Sequence, residues 1–276
     1  MTPPRDGRRA PPTLIERVPW WLVAAIGLAV GFAYAIAADD GYRTIFLALA
    51  AGIRTTVFVS LVAFLLAALL GLVVALAAES KWRILRELAV FYVEILRGVP
   101  VLVLLFYVAF VAAPGLVWLY NAAIRPLVDL GVAMPASVRD FDLLWRAIVA
   151  LVLSYSAFLA EIFRAGIAAV PRGQVEAARA LGLRRGQIFR LVVAPQALRT
   201  VLPPLGNDFV AMVKDSSLVS VLGVQDVSQL GKVYSASTFL FFETYSIVAF
   251  IYLTMTVSLS LAVRALERRL RRSEQR

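Results

Sequence analysis

The chain of 276 residues is 61% hydrophobic and 17% charged, with a mean hydropathy of +0.81, against roughly half apolar and a quarter charged in a soluble domain. That balance excludes a soluble domain and predicts an all-α integral membrane protein. The formal charge of +10 invites nucleic acid until the basic residues are placed, while the absence of Cys and His removes disulfides, thiolate metal sites and the commonest general base.

Residues 1–18 carry Arg5, Arg8, Arg9 and Arg17 among Pro and Gly and read as a basic tail ahead of a membrane domain over 19–266. Residues 19–37 form the first apolar run, just long enough to cross a hydrocarbon core of about 30 Å. Ala35-Ile36-Ala37 also fits a signal-peptide cleavage pattern, although the run is long for one. This segment is therefore set apart from a 45–266 core. Residues 45–56 lead into a second span over 57–78, with Arg54 snorkelling to the interface. A charged break over 79–87 precedes a third span over 88–113, interrupted by Glu94, Arg97 and Pro100. Residues 114–146 are mixed and have room for a short amphipathic helix lying in the interface. The fourth span is 147–170, the fifth 201–224 and the sixth 245–266, with a polar interval over 225–244 and a basic tail over 267–276. Trp118-Leu119-Tyr120 and residues 239–242 read as aromatic belts.

The basic residues sort by side. With the amino terminus inside, cytoplasmic segments hold 19 of the 28 Lys and Arg residues, which accounts for the charge without nucleic acid and places both termini in the cytoplasm. Arg43, Arg125, Arg139, Arg146 and Lys232 fall outside.

Between the fourth and fifth spans lies a polar handle, 174–185. Pro171 and Gly173 end what precedes it, Gln174–Leu181 reads as two turns of helix, and Gly182 supplies a C-terminal stop. Glu176 is placed in the first turn, where a carboxylate suits the helix dipole, and Arg179, Arg184 and Arg185 gather at the other end.

Charges within spans are expensive and therefore informative. Glu94 and Arg97 are spaced i, i+3, and so are Glu161 and Arg164, which lets each carboxylate meet its own Arg. The two pairs fall toward the cytoplasmic side and are expected to form one four-charge cluster, either fixing helix register or lining and gating a solute path. They form no catalytic dyad, because an adjacent Arg opposes a poised carboxylic acid. On the fifth span, Asn207, Asp208, Lys214, Asp215, Ser216 and Ser217 make that helix a candidate wall of the path. Asp208 and Lys214, about 600° apart, share no face. Pro203-Pro204 is expected to break and redirect the helix. No catalytic residue, metal site, Walker-type ATP loop or dinucleotide turn is present in the sequence.

Glu176-Ala177-Ala178, three residues, Gly182 and a following Pro195 resemble the cytoplasmic loop of ABC importer permeases. Residues 160–174, 205–220 and Glu94-Ile-Leu-Arg-Gly-Val-Pro100 are similar to the branch importing polar amino acids of the histidine, glutamine, glutamate and arginine type. The resemblance covers roughly residues 45–265. It departs at Val192-Val193-Ala194-Pro195, where the family often has Ile-x-Leu-Pro. It implies a permease fold of about six transmembrane helices with a cytoplasmic coupling-helix loop, in the cytoplasmic (inner) membrane. It also implies ABC ATPase subunits that bind the ATP, a second permease subunit and an extracytoplasmic solute-binding protein as partners, with no cofactor in this chain. Arg172, Gly173, Gln174, Glu176, Ala177, Ala178 and Gly182 would then couple to the ATPase. Glu176 would anchor the contact, Ala177 and Ala178 would permit close approach, and Gly182 the turn. An ion-coupled secondary transporter of polar solutes is the alternative, and the near-repeat of the two Glu–Arg runs gives it slight support.

Overall fold

A computed structural model describes residues 20–274, which form a helical membrane bundle. The tail assigned to 1–18 lies outside the described residues, as do residues 275–276. Helix α1 (Trp20–Ala38) turns directly into α2 (Asp40–Ala78). The turn is set by Asp39, whose Oδ1 accepts from the backbone N–H of Gly41 at 2.7 Å and of Tyr42 at 3.1 Å, a side-chain N-cap. Residues 45–56, expected as a lead-in, are thus the first turns of one 39-residue helix, about 58 Å long at 1.5 Å per residue. No proline interrupts it.

The expected third span is divided. Val99 is extended (φ −101°, ψ 128°), as the residue before a proline prefers. The break separates amphipathic α3 (Arg83–Gly98) from apolar α4 (Val101–Tyr107). A π turn at Val108–Ala112 joins α4 to α5 (Ala113–Asp129), so the segment from 114 continues the span instead of lying in the interface. A short loop and a 3-10 turn (Val138–Asp140) capped by Ser137 then lead to α6 (Leu143–Ala168). The handle is α7 (Arg172–Ala180), followed by α8 (Arg185–Ile188), a π turn at Phe189–Val193 and α9 (Ala194–Asp215). Pro203 and Pro204 lie inside α9 without ending it, a tolerance common in membrane helices, where no water competes for the freed carbonyls. A 3-10 turn (Ser216–Leu222) closes on Gly223, and α10 (Val227–Thr238) lies within the interval read as polar. The last helix, α11 (Phe241–Glu274), carries on through most of the expected closing tail.

Among the described residues four stretches are long and apolar enough to cross a membrane: Asp40–Ala78, Val101–Asp129, Leu143–Ala168 and Phe241–Arg268. Apolar α1 and the more polar α9 bring the helices of crossing length to the expected six. The main core lies between α2, α4, α6 and the far end of α9, where Val59, Leu105, Leu151, Leu159 and Met212 are all buried. A second core joins α2 to α10 and α11 through Leu49, Val227 and Ile247. Gly52 is required at that seam: a Cβ there would lie 2.6 Å from the backbone of Asp226 and Val227.

Candidate functional site: a coupling handle, a charged cleft and a polar helix face

The handle is a helix seated on the chain by one face. It starts two residues earlier than expected, at Arg172, so Glu176 lies in the second turn and draws little from the helix dipole. Its end is a Schellman motif. Gly182 N–H donates to Arg179 O at 2.9 Å and Leu183 N–H to Ala178 O at 3.2 Å, with Gly182 in the left-handed region at φ +78°. Ala178 is buried against Val170, Ile188, Val193 and Ala197, so its small side chain serves the seating of the handle. Gln174 Oε1 accepts from Gln196 Nε2 at 2.5 Å, and the same amide nitrogen donates to Val192 O at 2.9 Å. This clamps α7 to the first turn of α9. The opposite face presents Arg172, Gly173, Glu176, Ala177 and Arg179 to solvent, and Leu181 is 81% exposed. Among the described residues Arg172, Glu176 and Arg179 make no ion pair. Such a surface is apolar at its tip, charged at its rim and stiffly held from behind.

Two turns before the handle, Arg164 closes on Glu161 through two hydrogen bonds, Nε–Oε1 at 3.2 Å and Nη2–Oε2 at 2.6 Å. The matching pair on α3 does not form. Arg97, in the last turn of α3, lies 5.7 Å over the ring of Phe158 on α6, and Glu94 points into a cleft with Glu161 and Arg164. Glu94, Glu161 and Arg164 line a cleft of about 330 Å³ together with Glu79 and Arg86, while Arg97, turned to Phe158, stays within electrostatic reach of Glu161. The near-identical local runs diverge because Arg97 has an aromatic ring within reach, a cation–π partner that competes with the carboxylate.

On α9 the polar residues fall into two pairs seven apart, a spacing that returns to within about 20° of one face. Asn207 and Lys214 are exposed, whereas Asp208 and Asp215 are half-buried. Tyr155 on α6 donates to Asp215 Oδ2 at 2.8 Å, so Asp215 is tied to the core while Lys214 stands free of any ion pair among the described residues. Ser216 is buried, its hydroxyl donating to Val213 O at 2.8 Å, and Ser217 is half-buried. Sequence reasoning missed Tyr155, Gln196, Glu79 and Arg86. The seven-residue relation on α9 is legible in the spacing of 207 to 214 and 208 to 215.

Residues 67–272 match the family model of the binding-protein-dependent transport system inner membrane component. The chain belongs to this family. The match removes the ion-coupled secondary transporter left open above, and it makes the protein a transport component. The permease fold recurs in relatives across most of their length. The probable amino-acid permease protein YxeN of Bacillus subtilis is 34% identical over 213 residues, 77% of this chain and 87% of its own. The glutamine transport system permease protein GlnP of Escherichia coli K12 is 31% identical over 222 residues, 80% and 91% of the two chains. A crystal structure of an amino acid ABC transporter with histidines superposes at a TM-score of 0.66 and 34% identity, covering 83% of this permease and 95% of that chain. The inward-facing MetNI methionine transporter, at 20% identity and a TM-score of 0.60 over 81% and 96%, shares the fold.

Another buried polar group in this permease belongs to its architecture. Asp226 is fully buried and caps α10, its Oδ1 accepting from Gln229 N–H at 2.8 Å and its Oδ2 from Tyr252 O–H at 3.0 Å. Thr56 on α2 accepts from Val227 N–H at 3.4 Å. Arg146, expected on the outer surface, is also buried. It donates to Phe141 O at 2.6 Å, to Ala109 O in the π turn at 3.0 Å, and to Val138 O.

Proposed function

We propose that this chain is the membrane-spanning subunit of an ATP-driven importer of polar amino acids, in the cytoplasmic (inner) membrane with both termini and the handle in the cytoplasm. The chain would work as one of two permease subunits, with separate ABC ATPase subunits that bind the ATP and an extracytoplasmic solute-binding protein. The observation that carries the reading is the handle: a short helix seated by Ala178 and the Gln174–Gln196 clamp, with its far face open. Closure of the ATPases would press on Glu176, Ala177 and Leu181. The clamp would pass that displacement to the start of α9, whose Asn207–Lys214 face then turns as a unit between outward and inward access. The polar face of α9 suits a zwitterionic or charged solute better than an apolar one. Relatives named for glutamine and for arginine transport agree with that class.

The test is reconstitution in liposomes with the cognate ATPase and solute-binding protein. Uptake of a polar amino acid that requires internal ATP is the expected result. Uptake that persists without the ATPase and follows an ion gradient would overturn the reading. Orientation is checked separately, since the chain has no Cys. A cysteine at Ser137 should react with an impermeant reagent from outside, and one at Gln187 should not.

A further inference from the structure

Three carboxylates and two guanidiniums line the cleft between the end of α2, α3 and α6. Glu161 and Arg164 satisfy each other. Glu79, Glu94 and Arg86 make no ion pair among the described residues. Glu79 is moreover the C-cap of the long α2, at the negative end of the helix dipole, where a cation is favoured and a carboxylate is not. The floor is apolar, formed by Ala89, Val90 and Val93. A volume of about 330 Å³ lies at the lower end of small-ligand sites.

We propose that this cleft binds a small zwitterion, its primary ammonium held between Glu79 and Glu94 and its anionic group on Arg86. A primary ammonium offers three donors and can serve two carboxylates at once, while a guanidinium accommodates a carboxylate or phosphate through paired N–H groups. Two sources share this chemistry: a free α-amino acid and the head group of an ethanolamine phospholipid. The second has an apolar lining residue against which its chains can rest, because Val90 in the cleft is 45% exposed. The inference goes beyond the transport reading and stands on the cleft alone.

The full chain with its copurified ATPase is placed in nanodiscs of phosphatidylcholine. Choline is the matched control, since its trimethylated nitrogen carries the same charge and no N–H donor. One arm adds phosphatidylethanolamine and reads retained lipid by native mass spectrometry. The other titrates glutamine, glutamate and arginine in turn and reads saturable binding. Expected is at least tenfold preference for the ethanolamine lipid over choline, which assigns the head group, or saturable binding of an amino acid, which assigns the free solute. Glu79→Gln and Arg86→Met should each weaken the retained ligand tenfold or more with the ATPase still bound. Stepwise methylation of the ethanolamine nitrogen, or N-methylation of the amino acid, should give a graded loss in the unaltered protein. Absence of both kinds of binding would overturn the proposal. So would binding insensitive to both substitutions or to methylation. Loss of the ATPase from the unaltered complex would count against the transport reading and leave the cleft measurement intact.

Discussion

The two ends of the bundle treat polar groups differently. Away from the handle, Arg146 gives its guanidinium to three backbone carbonyls. Asn121 and the backbone of Ala136 exchange two hydrogen bonds of 2.8 Å, and deeper in, Asp226 is closed by Gln229 and Tyr252. At the handle end, Arg172, Glu176 and Arg179 are exposed and without an ion pair among the described residues. A buried polar group left unmatched is costly, so groups satisfied within the chain hold the fold. Groups left open on a rigidly seated helix are available to another subunit. Substitutions at the first kind should cost folded protein, and substitutions at the second should cost coupling.

The largest effect is expected at Arg146. Arg146→Ala strands carbonyls in a buried site at about 1–3 kcal/mol for each one left unsatisfied. Membrane abundance and monodispersity on fluorescence-detected size exclusion should collapse. Arg146→Lys should recover little, lacking the planar fork that reaches three acceptors. Recovery of normal abundance by the lysine form would show that charge, not the carbonyl fork, is what matters there. Next is the seam at Gly52, where a side chain meets backbone that has no rotamer to yield. Gly52→Val should destabilise by at least the roughly 1–3 kcal/mol of an overpacked core site, read as a lowered melting temperature in detergent. An unchanged melting temperature would mean that α2 and α10 are not in contact as described.

At the handle, Gly182→Ala puts a Cβ on a left-handed residue, a cost of about 1–2 kcal/mol, borne by the local turn. The expected signature is near-normal abundance with reduced solute-stimulated ATP hydrolysis. The smallest effect on stability is expected for Arg164→Ala. Arg164 and Glu161 are 46% and 34% exposed at their side chains, and exposed ion pairs contribute about 0–1 kcal/mol. Abundance should hold within error, and any loss should appear in uptake. A fall in folded protein comparable to that of Arg146→Ala would move this pair to the structural side of the comparison.

The sequence showed the class, the number of long crossings and the handle plainly, because each depends on local signals: apolar length, the Pro-and-Gly punctuation and the run Glu176-Ala177-Ala178. Gly182 was legible for the same reason, since a left-handed stop is a property of the residue itself. Partners across space were not legible. Arg146 read as an outer surface charge because nothing local reveals that the π turn at Val108–Ala112 turns the Ala109 carbonyl toward it. Arg97 was paired with Glu94 by spacing, but a ring on α6, 61 residues away at Phe158, competes for it. Gln196, which clamps the handle, reads as any polar residue ahead of the span expected from 201. Pro203-Pro204 reads as a break by the behaviour of helices in water, yet the helix runs through both, because in the membrane no water competes for the freed carbonyls.

The central claim is that the open face of α7 transmits force from an ATPase, and Glu176→Lys tests it most directly. Glu176 is exposed and lies past the first turn, so neither burial nor the helix dipole complicates the change. Glu176→Gln serves as the conservative step. Solute-stimulated ATP hydrolysis by the reconstituted complex is the readout, alongside recovery of the ATPase with the permease. The account predicts normal membrane abundance for Glu176→Lys, with weakened ATPase recovery and stimulated hydrolysis lost, and an intermediate result for Glu176→Gln. Full stimulated hydrolysis by Glu176→Lys, with its ATPase bound, would make the handle a basic connector and contradict the claim.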